Sequence, residues 1–192
     1  MKNAEIRYTG GGVCAPSGFR AAGTACGITG TIDKKDLALI VSDVMCSAAA
    51  VYTTNKVKGA PLKVTKDHIA DGKAIAVICN SGNANTCAPD GEAVAEKTCE
   101  ITAANIDADK NDIVVCSTGV IGQQLQMEPF ERGIPELAKI ADYNGSASAA
   151  EAIMTTDTIP KEVAVEVSIG GKTCRIGGIA KGSGMINPNM AT

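Results

Sequence analysis

Three short segments rich in glycine and polar residues each follow a predicted β-strand, the position at which α/β proteins commonly bind ligands. They are residues 80–85 (NSGNAN), 117–122 (STGVIG) and 181–184 (KGSG). Glycine allows sharp turns and lets backbone N–H groups approach a negatively charged oxygen closely. A Ser-Thr-Gly turn after a buried strand also presents donors in a fixed geometry, as an oxyanion hole requires. The segments predict anion or oxyanion binding, although each one alone is more typical of a tight turn.

None of these segments matches a nucleotide-binding loop. The Walker pattern requires GxxxxGK followed by Ser or Thr, whereas Lys181 precedes its glycines. Residues 10–18 (GGGVCAPSG) lack the GxGxxG spacing, and no predicted strand leads into them. The single histidine, His68, lies in an ordinary Lys-Asp-His-Ile segment. It is predicted to be a solvated surface side chain, and composition alone leaves a Ser-His-Asp triad open.

The eight cysteines lie at irregular intervals and form no CxxC pair, so a zinc site is not expected. Several of them, such as Cys79 and Cys116, lie inside apolar runs. They are predicted to be small buried hydrophobic residues of a protein in a reducing cytoplasm. No cofactor or metal is expected.

The overall composition is that of an ordinary soluble globular protein. Of the 192 residues, 45% are hydrophobic and 20% charged, and the net charge is −3. Aromatic residues make up 3% and no block of Lys and Arg stands out, so nucleic-acid binding is not expected. The N-terminal residues lack the apolar run of a signal peptide, and no apolar run reaches the roughly 18 residues of a membrane span. Neither secretion nor membrane insertion is predicted.

The elements that must position the polar segments alternate between strand and helix. Short apolar runs predict buried strands over residues 36–42, 74–79 and 112–116. Helical spacing of small and apolar residues predicts an amphipathic helix over 91–105, between the second and third of these strands. The strand–helix–strand order implies layered α and β structure.

The C-terminal half of the chain predicts two more helices and a hairpin. The helices cover residues 129–141 and 148–154, the second with a capping box formed by Ser148 and Glu151. Residues 162–169 alternate strictly between apolar and polar, Gly170 and Gly171 supply a two-residue turn, and residues 172–180 return as the partner strand. Without a long linker or repeat, residues 1–192 are interpreted as a single lobe. Its last dozen residues suggest a loop that once continued, or else a frayed tail.

Six segments, in this order along nearly the whole chain, together resemble the ornithine acetyltransferase (glutamate N-acetyltransferase) family of arginine biosynthesis. They are residues 15–19 (APSGF), 53–58 (TTNKVK), 80–85 (NSGNAN), 116–122 (CSTGVIG), 154–158 (MTTDT) and 181–192 (KGSGMINPNMAT). The resemblance implies the α chain of a precursor that cleaves itself between Ala191 and Thr192, with a β chain that begins at Thr192. The presence of Thr192 here departs from a cleaved α chain, which would end at Ala191.

The resemblance also implies the site and its reaction. Thr192 is expected to be the nucleophile, Thr118 (hydroxyl) and Gly119 (N–H) the oxyanion hole, and Thr155 and Lys181, with Thr192, the substrate-binding residues. An N-terminal threonine supplies its own base, an α-amino group with an unperturbed pKa of about 7.7–8.0. Acetyl would pass from N-acetylornithine to glutamate by a ping-pong cycle through an acetyl-threonine. Whether acetyl-CoA is a further donor stays open.

The architecture that the resemblance implies is an α/β/β/α-type sandwich with an N-terminal-nucleophile-like site. Its core is shared with the β chain, in a cytoplasmic heterotetramer of two α and two β chains. Two alternatives stay open: a self-cleaving N-terminal-nucleophile aminopeptidase, and a small binding module without catalysis. Cys116 is a rival nucleophile because it adjoins the predicted oxyanion turn.

Overall fold

The structure, a computed structural model, describes residues 6–184 and 187–189. These residues form two β-sheets and four α-helices, which confirms the predicted mixed α and β architecture. The strands are β1 (Ile6–Thr9), β2 (Phe19–Thr24), β3 (Leu37–Ser47), β4 (Lys73–Asn80), β5 (Ile113–Ser117), β6 (Lys161–Ile169) and β7 (Lys172–Ala180). The helices are α1 (Ala60–His68), α2 (Gly91–Ile106), α3 (Glu128–Ile140) and α4 (Ser146–Ala152).

The first sheet has four strands in the order β2-β3-β4-β5. The β2-β3 and β3-β4 pairs are antiparallel, whereas β4 and β5 run parallel, with Asn80 opposite Ser117 where the two strands end. Because parallel strands end at the same edge of a sheet, the polar segments that follow β4 and β5 start side by side. Helices α1, α2 and α3 pack on one face, where Leu37, Ile78 and Ile113 belong to the main core.

The other face of this sheet packs against helix α4. Ala21 and Ala38 of the sheet form a second, smaller core with Ala149 and Ala152 of α4. Small residues dominate because the backbones approach closely: a Cβ on Gly145 would lie 1.7 Å from the carbonyl oxygen of Ala21. Beyond α4 lies the second sheet, three antiparallel strands in the order β1-β6-β7.

The predicted hairpin is confirmed, and its apolar face turns outward. Gly170 and Gly171 both have positive φ, which favours a tight two-residue turn between β6 and β7. Val163, Ile169 and Ile176 lie on the outer face and are more than half exposed. Tyr8 of β1, opposite Val165 in the register, is 85% exposed on that face. No helix among residues 6–184 covers this surface, so the described part of the chain leaves one apolar sheet face in solvent.

The predicted strands and helices all form, with ends shifted by a few residues, but the predicted capping box is wrong. Helix α4 begins at Ser146, two residues before the predicted start, and no side chain caps it. The Ser148 hydroxyl instead donates to the carbonyl of Gly23 (3.0 Å), and Glu151 pairs with Lys35 (2.8 Å). Ser148 and Glu151 thus bind residues that are distant in sequence instead of forming a capping box.

The prediction of a solvated His68 is also wrong. His68 ends α1 and is 7% exposed. Its Nδ1 lies 2.9 Å from the carbonyl oxygen of Ile113, and its Nε2 lies 3.2 Å from Glu96. The ring therefore joins α1, α2 and β5. Within residues 6–184 and 187–189, no helix is long and apolar enough to cross a membrane.

Candidate active site

A cleft of about 1210 Å³ runs along β5, the edge strand of the four-stranded sheet. Four of the predicted site residues line it: Thr118 and Gly119 after β5, Thr155 after α4, and Lys181 after β7. They come from three separate parts of the chain. If the turn of Thr118 and Gly119 acts on the same ligand as Lys181, that ligand must bind in this cleft.

The turn that follows β5 is locked onto the segment that follows β4. Thr118 N–H donates to the carbonyl of Asn80 (3.0 Å), and Val120 N–H donates to that of Gly82 (3.1 Å). Gly119 lies between them with φ +136°, and a Cβ there would lie 2.2 Å from the carbonyl carbon of Gly82. Glycine is therefore required at position 119 both by the backbone conformation and by the approach of the neighbouring chain.

Buried asparagines brace the two segments further. Asn80 Nδ2 donates to the carbonyl of Asn83 (2.9 Å), and Asn83 Nδ2 reaches the carbonyl of Gln123 (3.1 Å). The Thr118 hydroxyl, in contrast, has no hydrogen-bond partner among residues 6–184 and 187–189. Residues 80–85 and 117–122 are thus joined by several hydrogen bonds, and Thr118 lines the cleft beside them.

Thr155 and Lys181 are joined by a carboxylate that the sequence analysis did not single out. Asp157 Oδ2 accepts from the N–H of Thr155 (3.3 Å) and from Lys181 Nζ (3.1 Å). The ammonium group of Lys161, 2.7 Å from Oδ1, holds the pKa of the Asp157 carboxyl well below its usual range, against the effect of its burial. The Asp in residues 154–158 (MTTDT) was the available signal, but its role depends on lysines that lie further along the chain.

The described end of the chain is held at the rim of the same cleft. Thr54 N–H donates to the carbonyl of Asn189 (2.9 Å), and Asn189 Nδ2 donates to the Thr54 hydroxyl (2.7 Å). Asn187 and Pro188 line the cleft. Residues 53–58 have no role that can be assigned from the sequence, but residues 53–55 bind residues 187–189 in the structure. Ala191 and Thr192, the predicted cleavage site and nucleophile, lie outside the described residues.

Cys116 is exposed in the cleft, which corrects its prediction as a buried hydrophobic residue. It is paired in register with Cys79 on β4. The neighbouring Cys79 thiol lowers the pKa of Cys116, whereas Cys116 and burial raise the pKa of Cys79. Cys87 is also exposed, whereas Cys14, Cys26 and Cys99 are buried as predicted. The side chains of the described segments form no His, Cys, Asp and Glu cluster that could hold a metal ion.

Comparison with protein families shows that residues 20–192 match the ArgJ family. The arginine biosynthesis bifunctional protein ArgJ of Symbiobacterium thermophilum is 48% identical over 97% of this chain, and that of Bacillus cereus is 49% identical over 95%. This chain covers 47% and 45% of those two proteins. It therefore spans about half the length of the curated relatives that it matches.

Two solved structures share the fold. The arginine biosynthesis bifunctional protein ArgJ of Bacillus halodurans superposes with a TM-score of 0.91 and 41% identity, over 99% of this chain and 100% of the solved one. The ornithine acetyltransferase of Mycobacterium tuberculosis, solved in complex with ornithine, superposes with a TM-score of 0.88 and 38% identity. That alignment covers 97% of this chain and 100% of the solved chain.

Proposed function

The chain belongs to the ArgJ family, and on this premise we propose that it is the N-terminal part of an ornithine acetyltransferase. The complete enzyme would transfer the acetyl group of N-acetylornithine to glutamate in arginine biosynthesis. One observation carries the proposal: Thr118, Gly119, Thr155 and Lys181 line a single cleft, although they follow three different elements of the fold.

The turn after β5 has the chemistry of an oxyanion hole. Acetyl transfer passes through a tetrahedral oxyanion, which is stabilised by donors that are fixed before the reaction begins. The Thr118 hydroxyl is unpaired within the described chain, and the N–H groups on both sides of Gly119 are already bonded to carbonyls. These features support the Thr118 hydroxyl and the Gly119 N–H as the two donors.

Thr192 is the proposed nucleophile, freed by cleavage of the bond between Ala191 and Thr192. It follows Asn189, the last described residue, by three positions in the sequence, and Asn189 is hydrogen-bonded at the cleft rim. After cleavage the α-amino group of Thr192 would act as the base that removes the proton from its own hydroxyl. The two solved relatives are matched over their whole chains, whereas the curated proteins are matched over about half. That difference supports two separate polypeptides.

The C-terminal half would complete both the fold and the site. The outer face of the three-stranded sheet exposes Ile6, Tyr8, Val163, Ile169 and Ile176. Exposed apolar patches of this kind are typical of surfaces that another chain covers. We infer that the β chain covers this face. The assembly of two α and two β chains and the cytoplasmic location stay predictions, the first of them testable by native mass spectrometry.

The test is to express the complete gene and to measure both processing and activity. We expect mass spectrometry to find two chains divided between Ala191 and Thr192, and the purified protein to form N-acetylglutamate from N-acetylornithine and glutamate. If N-acetylornithine keeps its acetyl group while N-terminal residues are released from peptides, the aminopeptidase alternative would be favoured. Acetyl-CoA offered in place of N-acetylornithine tests whether a second donor is accepted.

A further inference from the structure

Asp157 is the centre of a buried charge cluster behind the cleft wall. Its side chain is 2% exposed, yet it accepts four hydrogen bonds from described residues. Oδ1 accepts from Lys161 Nζ (2.7 Å) and from the N–H of Gly182 (2.7 Å), and Oδ2 accepts from the N–H of Thr155 (3.3 Å) and from Lys181 Nζ (3.1 Å). One carboxylate thus fixes the positions of two predicted substrate-binding residues.

The two lysines of the cluster differ in what they face. Lys181 lines the cleft and its side chain is 23% exposed, whereas Lys161 is 40% exposed and does not line the cleft. Lys181 Nζ donates to Asp157 and to the carbonyl of Gly182 (3.1 Å). An ammonium group has three N–H donors. One donor of Lys181 therefore stays available to a ligand in the cleft.

The charges of the cluster do not cancel. Two ammonium groups surround one carboxylate, which leaves a net charge of +1. The shorter ion pair is the one with Lys161, at 2.7 Å against 3.1 Å for Lys181. With Lys161 as the main counter-charge of Asp157, the surplus positive charge resides on Lys181, at the cleft. If Lys181 were the sole partner of Asp157, the pair would carry no net charge. A ligand carboxylate would then be attracted to it only weakly.

The backbone at Gly182 packs closely against the Asp157 charge cluster. A Cβ on Gly182 would lie 2.6 Å from Asp157 Oδ1 and 3.4 Å from Lys161 Nζ. The close approach lets the N–H of Gly182 reach the carboxylate directly. The strand end of β7 and the loop after α4 are consequently held together at the point from which Lys181 enters the cleft.

We propose that Asp157 is a positioning residue for substrate binding, and that Lys161 is the counter-charge of Asp157 that leaves the positive charge of Lys181 available to a ligand. In this arrangement Lys181 binds the α-carboxylate that N-acetylornithine and glutamate have in common, so one cation serves both half-reactions. This inference rests on the proposed acetyltransferase function. It assigns roles to Asp157 and Lys161, neither of which is expected to touch the substrate.

The experiment compares three variants of the complete, processed enzyme: Asp157→Asn, Lys161→Gln and the control Lys139→Gln. Lys139 is an exposed residue of α3 that does not line the cleft, so its loss removes the same charge outside the site. For Asp157→Asn we expect the KM for both substrates to rise about tenfold or more, with a smaller change in kcat. For Lys161→Gln we expect a rise of several-fold, because Asp157 would then neutralise Lys181. Lys139→Gln should behave as wild type.

A second readout separates positioning from simple support of the fold. Wild type should prefer glutamate over glutamate 1-amide, which lacks the α-carboxylate charge, and both site variants should lose most of that preference. If Asp157→Asn does not fold, Lys161→Gln decides, since Lys161 is partly exposed. Unchanged KM values and an unchanged preference in the folded variants would overturn this inference alone. A wild-type enzyme that transfers no acetyl group at all would overturn the proposed function and this inference with it.

Discussion

Replacing Thr118 by alanine tests the oxyanion role of a side chain that makes no hydrogen bond within the described chain. Because the hydroxyl stabilises no neighbour in the absence of substrate, we expect the fold to stay intact while acetyl transfer falls by roughly 10²-fold or more. Steady-state kinetics and a thermal melt of the same preparation measure both effects. Thr118→Ser, which keeps the hydroxyl, should retain most of the activity. Near-wild-type turnover of Thr118→Ala would show that Thr118 is only a turn residue.

Thr192 is predicted to act twice, first on the carbonyl of Ala191 and then on the acetyl group. Thr192→Ala in the full-length precursor should therefore abolish both self-cleavage and transfer. Thr192→Ser should retain part of each, since serine lacks only the methyl group that restricts the rotamer. Trapping the acetyl-enzyme with N-acetylornithine and mapping the added mass is the measurement. Acetyl on Cys116, or on any peptide that does not begin at Thr192, would contradict this mechanism.

The thiol of Cys116 gives a prediction about pH. The neighbouring Cys79 thiol lowers the pKa of Cys116, so we expect a larger fraction of Cys116 to be thiolate at a given pH than in an isolated cysteine. In Cys79→Ala that neighbouring thiol is lost, and the pH dependence of Cys116 alkylation should shift to higher pH. The rate of iodoacetamide labelling from pH 6 to 10, followed by peptide mapping, measures the shift. Cys46→Ala is the matched control, and an equal shift in that variant would mean that Cys79 is not the cause.

At the scale of elements, the connection between the loops after β4 and β5 depends on Gly119. An alanine there would face both a positive φ of 136° and the backbone of Gly82 at 2.2 Å. We expect Gly119→Ala to lower the free energy of unfolding by about 3 kcal/mol, from backbone strain and overpacking together.

Gly122→Ala is the matched control for that substitution. Gly122 has φ +81°, but no atom lies within 4 Å of the position of its Cβ. Only the conformational cost remains, about 1 kcal/mol. Urea denaturation of the two variants beside wild type separates the effects. Equal losses of stability in both variants would mean that the close approach to Gly82 does not matter.

At the scale of the whole molecule, the exposed face of the three-stranded sheet predicts dependence on the C-terminal half. Residues 1–192 expressed alone should aggregate or bind a hydrophobic dye, and co-expression with the C-terminal half should prevent both. Ile176→Glu places a charge on the outer face of β7 and should weaken association of the two chains. Thr173→Glu places the same charge on the other face of the same strand and should not.

Gel filtration of the two chains, and the area buried between them in a structure of their complex, test that prediction. Obligate interfaces usually bury more than about 2,000 Å². A stable, dye-free monomer of residues 1–192, with unchanged association of Ile176→Glu, would show that the outer face is not an interface.

Local features of this protein can be predicted from its sequence alone. The alternation of β6 matches the two-residue period of a strand, and the short, β-branched apolar runs of β3, β4 and β5 favour strands. The paired glycines at 170 and 171 favour a tight turn. Strands β1 and β2 and helix α1 are not predicted from the sequence. β1 has only four residues, and β2 (FRAAGT) is a strand of small residues that its pairing with β3 stabilises.

Contacts between side chains that are distant in sequence depend on how the elements pack. His68 was assigned to solvent from its polar neighbours in sequence, yet packing of α1 against β5 buries it beside Ile113 and Glu96. Ser148 and Glu151 have capping spacing, but distant partners bind them instead. Asp157 lies 24 residues before Lys181, and no periodicity relates them. Hydrogen bonds and ion pairs depend on distance in space, which sequence spacing fixes within a helix or hairpin but not between the ends of separate elements.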